Sequence, residues 1–408
     1  MSPRWTGDRI GFGAEARSQW DLADELCFLN HGSFGAVPRA LQVRATECRN
    51  AIEHNPVAGV WRDGSRAIRA SAERVAAFLG SHPDRTGFVS NATNGINALL
   101  QSIPLDPGDE VLHLDHGYNA VWQTLVMTGR RRGIVPRKVE IPLPVRRADD
   151  WLEAVDRAIT PRTRLLVLDQ VTSPTALVLP TREIVEMAKA QGVETIVDGA
   201  HAPGMLDRPA TSIGDPLAWT GNLHKWPCGL RGTAVLVVRA DFADRIKPTV
   251  ISHHLDQSFS AEFDWQGTFD PVPWILAGEA IDFMDRFGGW REVRRRNREL
   301  VIEAHAMLVE RLGVEPISPL DGSSLGFMAT LPLPDRLQPG NGGPPAPPSG
   351  PLQVLVDPVQ DRLLDEHRIE IPVMHHGGRR LLRLSGHVYN EPSDYERLAE
   401  AVEAVAVD

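Results

Sequence analysis

One lysine stands in a stretch that otherwise reads as buried: TGNLHKWPCGLRGTAV, residues 220–235. Lys225 lies between His224 and Trp226, with glycines on both sides and the apolar run Thr233–Val238 after it. An amine in such surroundings loses hydration, which disfavours its charged form and leaves a nucleophile. That is the chemistry of a lysine that forms a Schiff base. The bland alternative is a surface lysine whose stem lies along apolar neighbours. Other segments have to decide between the two.

Asp198 ends the apolar run ETIVD, 27 residues before Lys225. An acid just past a buried strand needs a cationic partner, and a protonated pyridine nitrogen is one. A turn or cap acid is the alternative. Asn91-Ala92-Thr93-Asn94-Gly95 opens a predicted helix. Free N–H groups and the positive end of the helix dipole suit a phosphate there, while an ordinary helix cap explains the same residues. Tyr118 follows a predicted strand and either stacks on a flat ring or belongs to the core. Each signal is weak alone. Phosphate site, aromatic platform, ring-nitrogen acid and lysine, all in one chain, describe a site for pyridoxal 5′-phosphate (PLP).

These residues must be positioned by elements, and the pattern supplies them. Apolar runs predict strands at 110–115, 163–171, 194–201 and 233–238, with a short strand, a turn and a helix start over 88–103. Helical spacing predicts helices over 62–80, 120–131 and 181–192. Alternation of strand and helix means a parallel α/β sheet, with ligands at the carboxyl ends of its strands. Residues 273–312 read as one or two long helices, and a final helix covers SDYERLAEAVEAVAV. The expected organisation is an arm (1–24), a large domain (25–272) and a smaller α+β domain (273–408). A Pro/Gly-rich loop at 332–351 is expected to be mobile and unpacked.

The chain has 408 residues and a net charge of −10, which disfavours a general nucleic-acid binder. No apolar run reaches the ~18 residues of a membrane helix, and the N-terminus has no apolar signal segment. Three cysteines, Cys27, Cys48 and Cys228, without CxxC spacing argue against a disulfide framework or a metal site and fit a reducing cytoplasm.

The segments FLNHGSFGAVPRAL (28–41), NATNGIN (91–97), VTSPTALVLP (171–180), VDGAHAPG (197–204), GNLHKW (221–226), WQGTFDP (265–271) and RLSGHVYN (383–390) resemble the class V aminotransferase family of fold-type I PLP enzymes. The nearest likeness is to its isopenicillin N epimerase-like branch, and cysteine desulfurases are more distant. The resemblance implies a large, mainly parallel mixed sheet flanked by helices, plus a small C-terminal domain. It implies that Lys225 holds the cofactor and shuttles protons, and that Asp198 pairs with the ring nitrogen. Ser173 and His201 would lie near the ring's phenolic oxygen, and Tyr118 would stack on the ring. Ala92, Thr93, Asn222 and His224 would bind the phosphate, with Gly267 and Thr268 reaching it from the second subunit of a homodimer. Arg383 would clamp a substrate carboxylate, and its neighbours Leu381, Leu382 and Leu384 speak against a surface arginine. Asn30 and His31 would lie at the substrate mouth.

The run VMHHGGRRLL (373–382) is rich in His and Arg. Either it is a solvated loop, or His375 and Arg379 rim the pocket and meet a distal part of the substrate. A desulfurase needs a nucleophilic cysteine on a late loop, and no cysteine follows Cys228. The expected activity is epimerisation at the α-carbon of an amino acid or its derivative. A C–S β-lyase or an aminotransferase is the alternative, and a non-catalytic PLP-fold binding protein is the rival outside enzymes.

Overall fold

The computed structural model describes residues 5, 9–339 and 357–405. Seven strands form the central sheet: β1 (Thr86–Val89), β2 (Glu110–Leu114), β3 (Val135–Val139), β4 (Thr163–Asp169), β5 (Glu194–Asp198), β6 (Ala218–Asn222) and β7 (Ala234–Val238). Their order is β1-β7-β6-β5-β4-β2-β3. Strands β2 to β6 pair in parallel, and β7 runs antiparallel between β1 and β6. This is the mainly parallel mixed α/β sheet the sequence implies.

The strands read as continuous apolar runs because both faces are covered. Successive residues feed opposite cores. Leu112, Leu166, Leu168 and Val197 join one, with Ile68, Val75 and Leu79 of α1 (Asp63–Leu79). Val111, Leu165, Val167 and Ile196 join the other, with Ile96 and Leu99 of α2 (Ala92–Ser102) and Val121 and Leu125 of α3 (Asn119–Arg132). Each aliphatic side chain buried this way contributes about 1.5–3 kcal/mol. Helix α1 stops where Gly80 turns left-handed, and α3 stops likewise at Gly133.

Two strands escape sequence reading. β3, VPRKV, lies at the sheet edge, is largely exposed and carries a proline. β6, AWTGN, holds a glycine and few β-branched residues, and its neighbours on both sides decide its conformation. The expected long C-terminal helices break at Gly288-Gly289, both at positive φ, before α4 (Trp290–Leu312).

A second, antiparallel sheet has the order β9-β10-β8, with β8 (Met328–Pro332), β9 (Val373–His376) and β10 (Arg379–Ser385). α4 packs on β8 and on α5 (Pro392–Ala404). The Pro/Gly-rich stretch begins packed, not loose, because Leu333 and Leu337 are buried in the main core. Its part from residue 340 lies outside the described residues. Cys27–Phe28 pairs in parallel with Ile369–Glu370, which ties the N-terminal segment to the C-terminal one.

Helix α2 lies close on β6. A Cβ at Gly95 would sit 2.6 Å from Thr220 Oγ1, which is itself held by the Val235 carbonyl. Helix propensity favours alanine there by about 1 kcal/mol, but the clash opposes it. Gly95→Ala is expected to destabilise the protein by ~1–3 kcal/mol in urea denaturation. A more stable variant would show that the helix has room.

Candidate active site

The carboxyl ends of β4, β5 and β6 converge with the start of α2, as the connectivity of a parallel sheet requires. Asp198 closes β5 and is buried. One of its oxygens accepts the Ala200 N–H at 2.9 Å, and the other has no partner among the described residues. Its cross-strand neighbour is Asp169, the last residue of β4. Burial and the charge of Asp198 push the Asp169 carboxyl well above the usual range. Asp198 is also raised by burial, but the Ala200 N–H and the Lys225 charge oppose this. Two carboxyls this close do not both ionise, and Asp198 is the better-supported anion.

Lys225 lies in the loop between β6 and β7, and its Nζ is 3.1 Å from His201 Nε2. Burial, then the nearby Arg383 charge, pushes its amine down to about 7, with Asp198 opposing. The residue as a whole is half-buried. His201 is held neutral, chiefly by burial, and its Nε2 shares a hydrogen bond with the amine. Its Nδ1 is buried without a partner.

Arg383 is the most telling group. It stands mid-strand in β10, buried. Nη1 donates to the Ser173 carbonyl at 2.7 Å and hydroxyl at 3.1 Å, and Nη2 donates to Ser33 Oγ at 2.7 Å. Its Nε is buried and unpartnered. No carboxylate of the described residues pairs with it. Burial lowers it to about 10. A buried guanidinium without a counter-ion is suited to an incoming anion. Ser33 gives no signal in sequence beyond its place in NHGSFG.

The structure places the remaining expected residues as follows. Ala92 and Asn222 bond one another, Ala92 N–H to Asn222 Oδ1 at 2.9 Å, because the end of β6 faces the orphan N–H groups of α2. The Thr93 N–H, the Thr93 hydroxyl and the Asn222 Nδ2 keep no partner among the described residues, and form the donor cradle at this end. His224 is fixed by the Thr233 carbonyl and lowered to about 4, chiefly by burial. Tyr118 is exposed at the start of α3, and its phenol lies within electrostatic reach of Arg383. Gly267 is half-buried at φ 100°, Thr268 is exposed, and neither bonds to the Lys225 cluster.

Three substrate residues are corrected. His31 is fully buried and cannot line a mouth. His375 pairs across the hairpin with Arg380, on the sheet face opposite Arg383. Both bind the buried Asp357 carboxylate, at 2.9 and 2.8 Å, because a buried carboxylate needs hydrogen-bond donors. Arg379 shares the face of Arg383 but lies four residues away, about 13 Å along the strand, and is exposed. Asn30 donates to Glu370 at 3.0 Å.

The donor set fits PLP: a free carboxylate oxygen for a ring N–H, an uncharged amine for a carbonyl carbon, and unpaired helix N–H groups for a phosphate. Fold and site together define a PLP-dependent enzyme of fold type I. The class V aminotransferase model matches residues 44–329, and the chain belongs to that family. Its cofactor is pyridoxal 5′-phosphate, and the family acts on small amino-acid substrates. The chain is 31% identical to an isopenicillin N epimerase of Amycolatopsis lactamdurans, over 96% of this chain and 98% of the relative. It is 28% identical to a probable chloroplastic L-cysteine desulfhydrase of Arabidopsis thaliana, over 97% and 86%. A solved structure of a lysine-to-alanine mutant of C-DES, with glycine covalently linked to its PLP, aligns at a TM-score of 0.78 and 17% identity, covering 96% and 99%. No helix among the described residues is long and apolar enough to cross a membrane.

Arg383→Lys is expected to lower kcat/KM by about 100-fold, since a point charge cannot bridge Ser173, Ser33 and a carboxylate at once. Steady-state kinetics measures it. Parental kinetics in this variant would take Arg383 out of the site.

Proposed function

We propose that the protein is an isopenicillin N epimerase-like enzyme that inverts the α-carbon of an amino acid or an amino-acid-derived substrate. The observation that carries this reading is the likeness at 31% identity to an isopenicillin N epimerase over nearly the full length; the Lys225 amine, 3.1 Å from His201, and the exposed Tyr118 phenol are its candidate proton carriers. Inversion needs a base on one face of Cα and an acid on the other.

In this mechanism Arg383 receives the substrate carboxylate, with Ser33 and Ser173 fixing its fork. Thr93, Asn222 and the start of α2 would hold the phosphate of the cofactor, and Asp198 would accept its ring N–H. When bound, PLP supplies the electron sink that makes the Cα–H acidic. Lys225, uncharged above pH about 7, takes the proton from one face. Tyr118 delivers a proton to the opposite face, and Lys225 passes its own back through the cleft. His201 holds the amine in place between transfers.

The second reading is a C–S β-lyase, favoured by the likeness to an L-cysteine desulfhydrase. A persulfide route has less support. Burial raises the thiols of Cys27, Cys48 and Cys228, so none is an activated thiolate. These three unpaired cysteines support a reducing, cytoplasmic setting. A panel of amino acids and their peptide derivatives in deuterated water decides. Deuterium at Cα with inversion, and one product mixture from either stereoisomer, is expected. Release of pyruvate, ammonia and sulfide without inversion would favour the lyase, and a keto acid would favour an aminotransferase.

We also read the enzyme as a homodimer with shared sites. Val57, Trp61, Val250, Ile251 and Leu255 form exposed apolar surface, and Trp61 packs edge-on against Trp265 at 4.5 Å. Gly267 and Thr268 follow directly, so a second copy covering this patch would meet them. Sedimentation is expected to give a dimer, and Ile251→Asp with Trp61→Asp is expected to yield monomers that lose cofactor. A fully active monomer would overturn this.

A further inference from the structure

Beneath Lys225 lies a group of stacked rings that the mechanism does not use. His31 and His387 are buried, with ring centroids 4.0 Å apart and 16° from parallel. The Trp226 ring lies nearly parallel to both, at 21° and 14°. His31 comes from the turn after Cys27–Phe28, and His387 from just beyond β10. The two ends of the chain meet under the lysine.

Hydrogen bonding fixes the protons. A carbonyl only accepts, so His31 Nε2 donates to the Lys225 carbonyl at 3.0 Å and His387 Nε2 donates to the Trp226 carbonyl at 3.3 Å. The Tyr389 hydroxyl lies 2.6 Å from His31 Nδ1 and donates to it, which holds that tautomer. Burial keeps both rings neutral, His31 at about 4 and His387 further down.

Cys228 Sγ lies 3.7 Å from His31 Nε2 and 3.6 Å from His387 Nε2. The trio does not suit a metal ion. Imidazole lone pairs lie in the ring plane, and two nearly parallel planes cannot both aim at one ion. Both Nε2 atoms, moreover, carry protons spent on carbonyls. Backbone bonds close the loop on either side, from the His224 N–H to the Thr233 carbonyl at 3.2 Å and from the Gly229 N–H to the Leu223 carbonyl at 2.9 Å. Pro227 has no N–H, and Cys228 takes φ 57° to donate to the Lys225 carbonyl at 2.8 Å. A cysteine in the left-handed region is held there by its surroundings.

We propose that His31 and His387 are positioning residues, whose paired N–H groups fix the Lys225 and Trp226 peptides and so set where the lysine amine points. The proposal rests on Lys225 being the cofactor lysine. It adds that the segments carrying Ser33 and Arg383 also carry the two imidazoles, so the carboxylate anchor and the lysine are held as one unit.

The test uses the cofactor-free protein. His31→Phe keeps a flat ring in the stack and loses the donor. His31→Gln keeps an N–H near the Nε2 position and loses the ring. Labelling of Lys225 by trinitrobenzenesulfonate is followed against pH by peptide mass spectrometry. The parent's midpoint is expected at about 7. His31→Phe is expected to raise it by about one unit or more, toward an ordinary lysine, because a released peptide lets the amine reach water. His31→Gln is expected to hold it within about half a unit. Equal shifts in both variants, or no shift in a folded His31→Phe, would overturn the proposal. Should His31→Phe not fold, Tyr389→Phe, which removes only the hydroxyl, decides: a raised midpoint supports the proposal and an unchanged one overturns it. Lys225→Ala is a separate check. Covalent retention of the reduced cofactor, read as pyridoxyl-lysine fluorescence after borohydride treatment and denaturing gel filtration, would refute the lysine assignment, whatever the midpoint does.

Discussion

An amine kept uncharged inside a protein at neutral pH is the constraint the rest of this structure serves. Water must be thinned around it, and positive charge must stand near it without taking its place. Burial at the end of β6 does the first, and Arg383 does the second. The cost of holding two basic groups without water is borne by the sheet. Its strands are apolar on both faces and rigid enough to fix the loops at their ends. The approach is so close that the N-terminal turn needs glycine at residue 35, where a Cβ would collide with the His224 and Lys225 carbonyls.

The acids follow the same logic. Asp169 and Asp198 end neighbouring strands in register, so their carboxyls share one low-dielectric space. One negative charge there is enough to partner a ring N–H, and a second would be repelled. Asp198 has the Ala200 N–H to stabilise its charged form, while burial and repulsion hold Asp169 in its acid form. Backbone donors oppose burial at both acids, but the Lys225 charge also favours the Asp198 anion, which in turn raises Asp169. The turn VDGA exists because β5 must end there for its crossover.

The groups legible in sequence were those whose environment is local. Asp198 ends its own apolar run, Lys225 interrupts one, and Arg383 stands between leucines, so each announces a buried charge. The strands over 110–114, 163–169 and 194–198 were legible for the same reason, as uninterrupted apolar runs. What could not be read depends on which distant segment arrives opposite. The Asn222–Ala92 bond spans 130 residues and the Arg383–Ser33 bond spans 350. His375 illustrates the limit. Its sequence neighbours suggest a basic rim, but strand alternation puts it on the face away from Arg383, where Asp357 takes its proton-bearing nitrogen. A run of basic residues in a hairpin is divided between two faces, and composition cannot say which half sees the site.

Residues from both ends of the chain close the site from one side, and this bears on how one scaffold supports different reactions at Cα. The strand ends supply Asp198, Lys225 and the cradle at α2, the groups proposed to act on the cofactor. The N-terminal turn and β10 supply Ser33 and Arg383, the groups proposed to act on the substrate. Proton removal depends on the first set. The fate of the carbanion-like centre that follows depends on which acid stands opposite the lysine and on how long the carboxylate is held still. Both lie with the second set and with Tyr118, at the loops. Inversion and elimination can therefore share every residue of the sheet and differ only at this rim. On the proposed reading, the shared fold would leave the reaction to be chosen by Tyr118 and the arginine clamp.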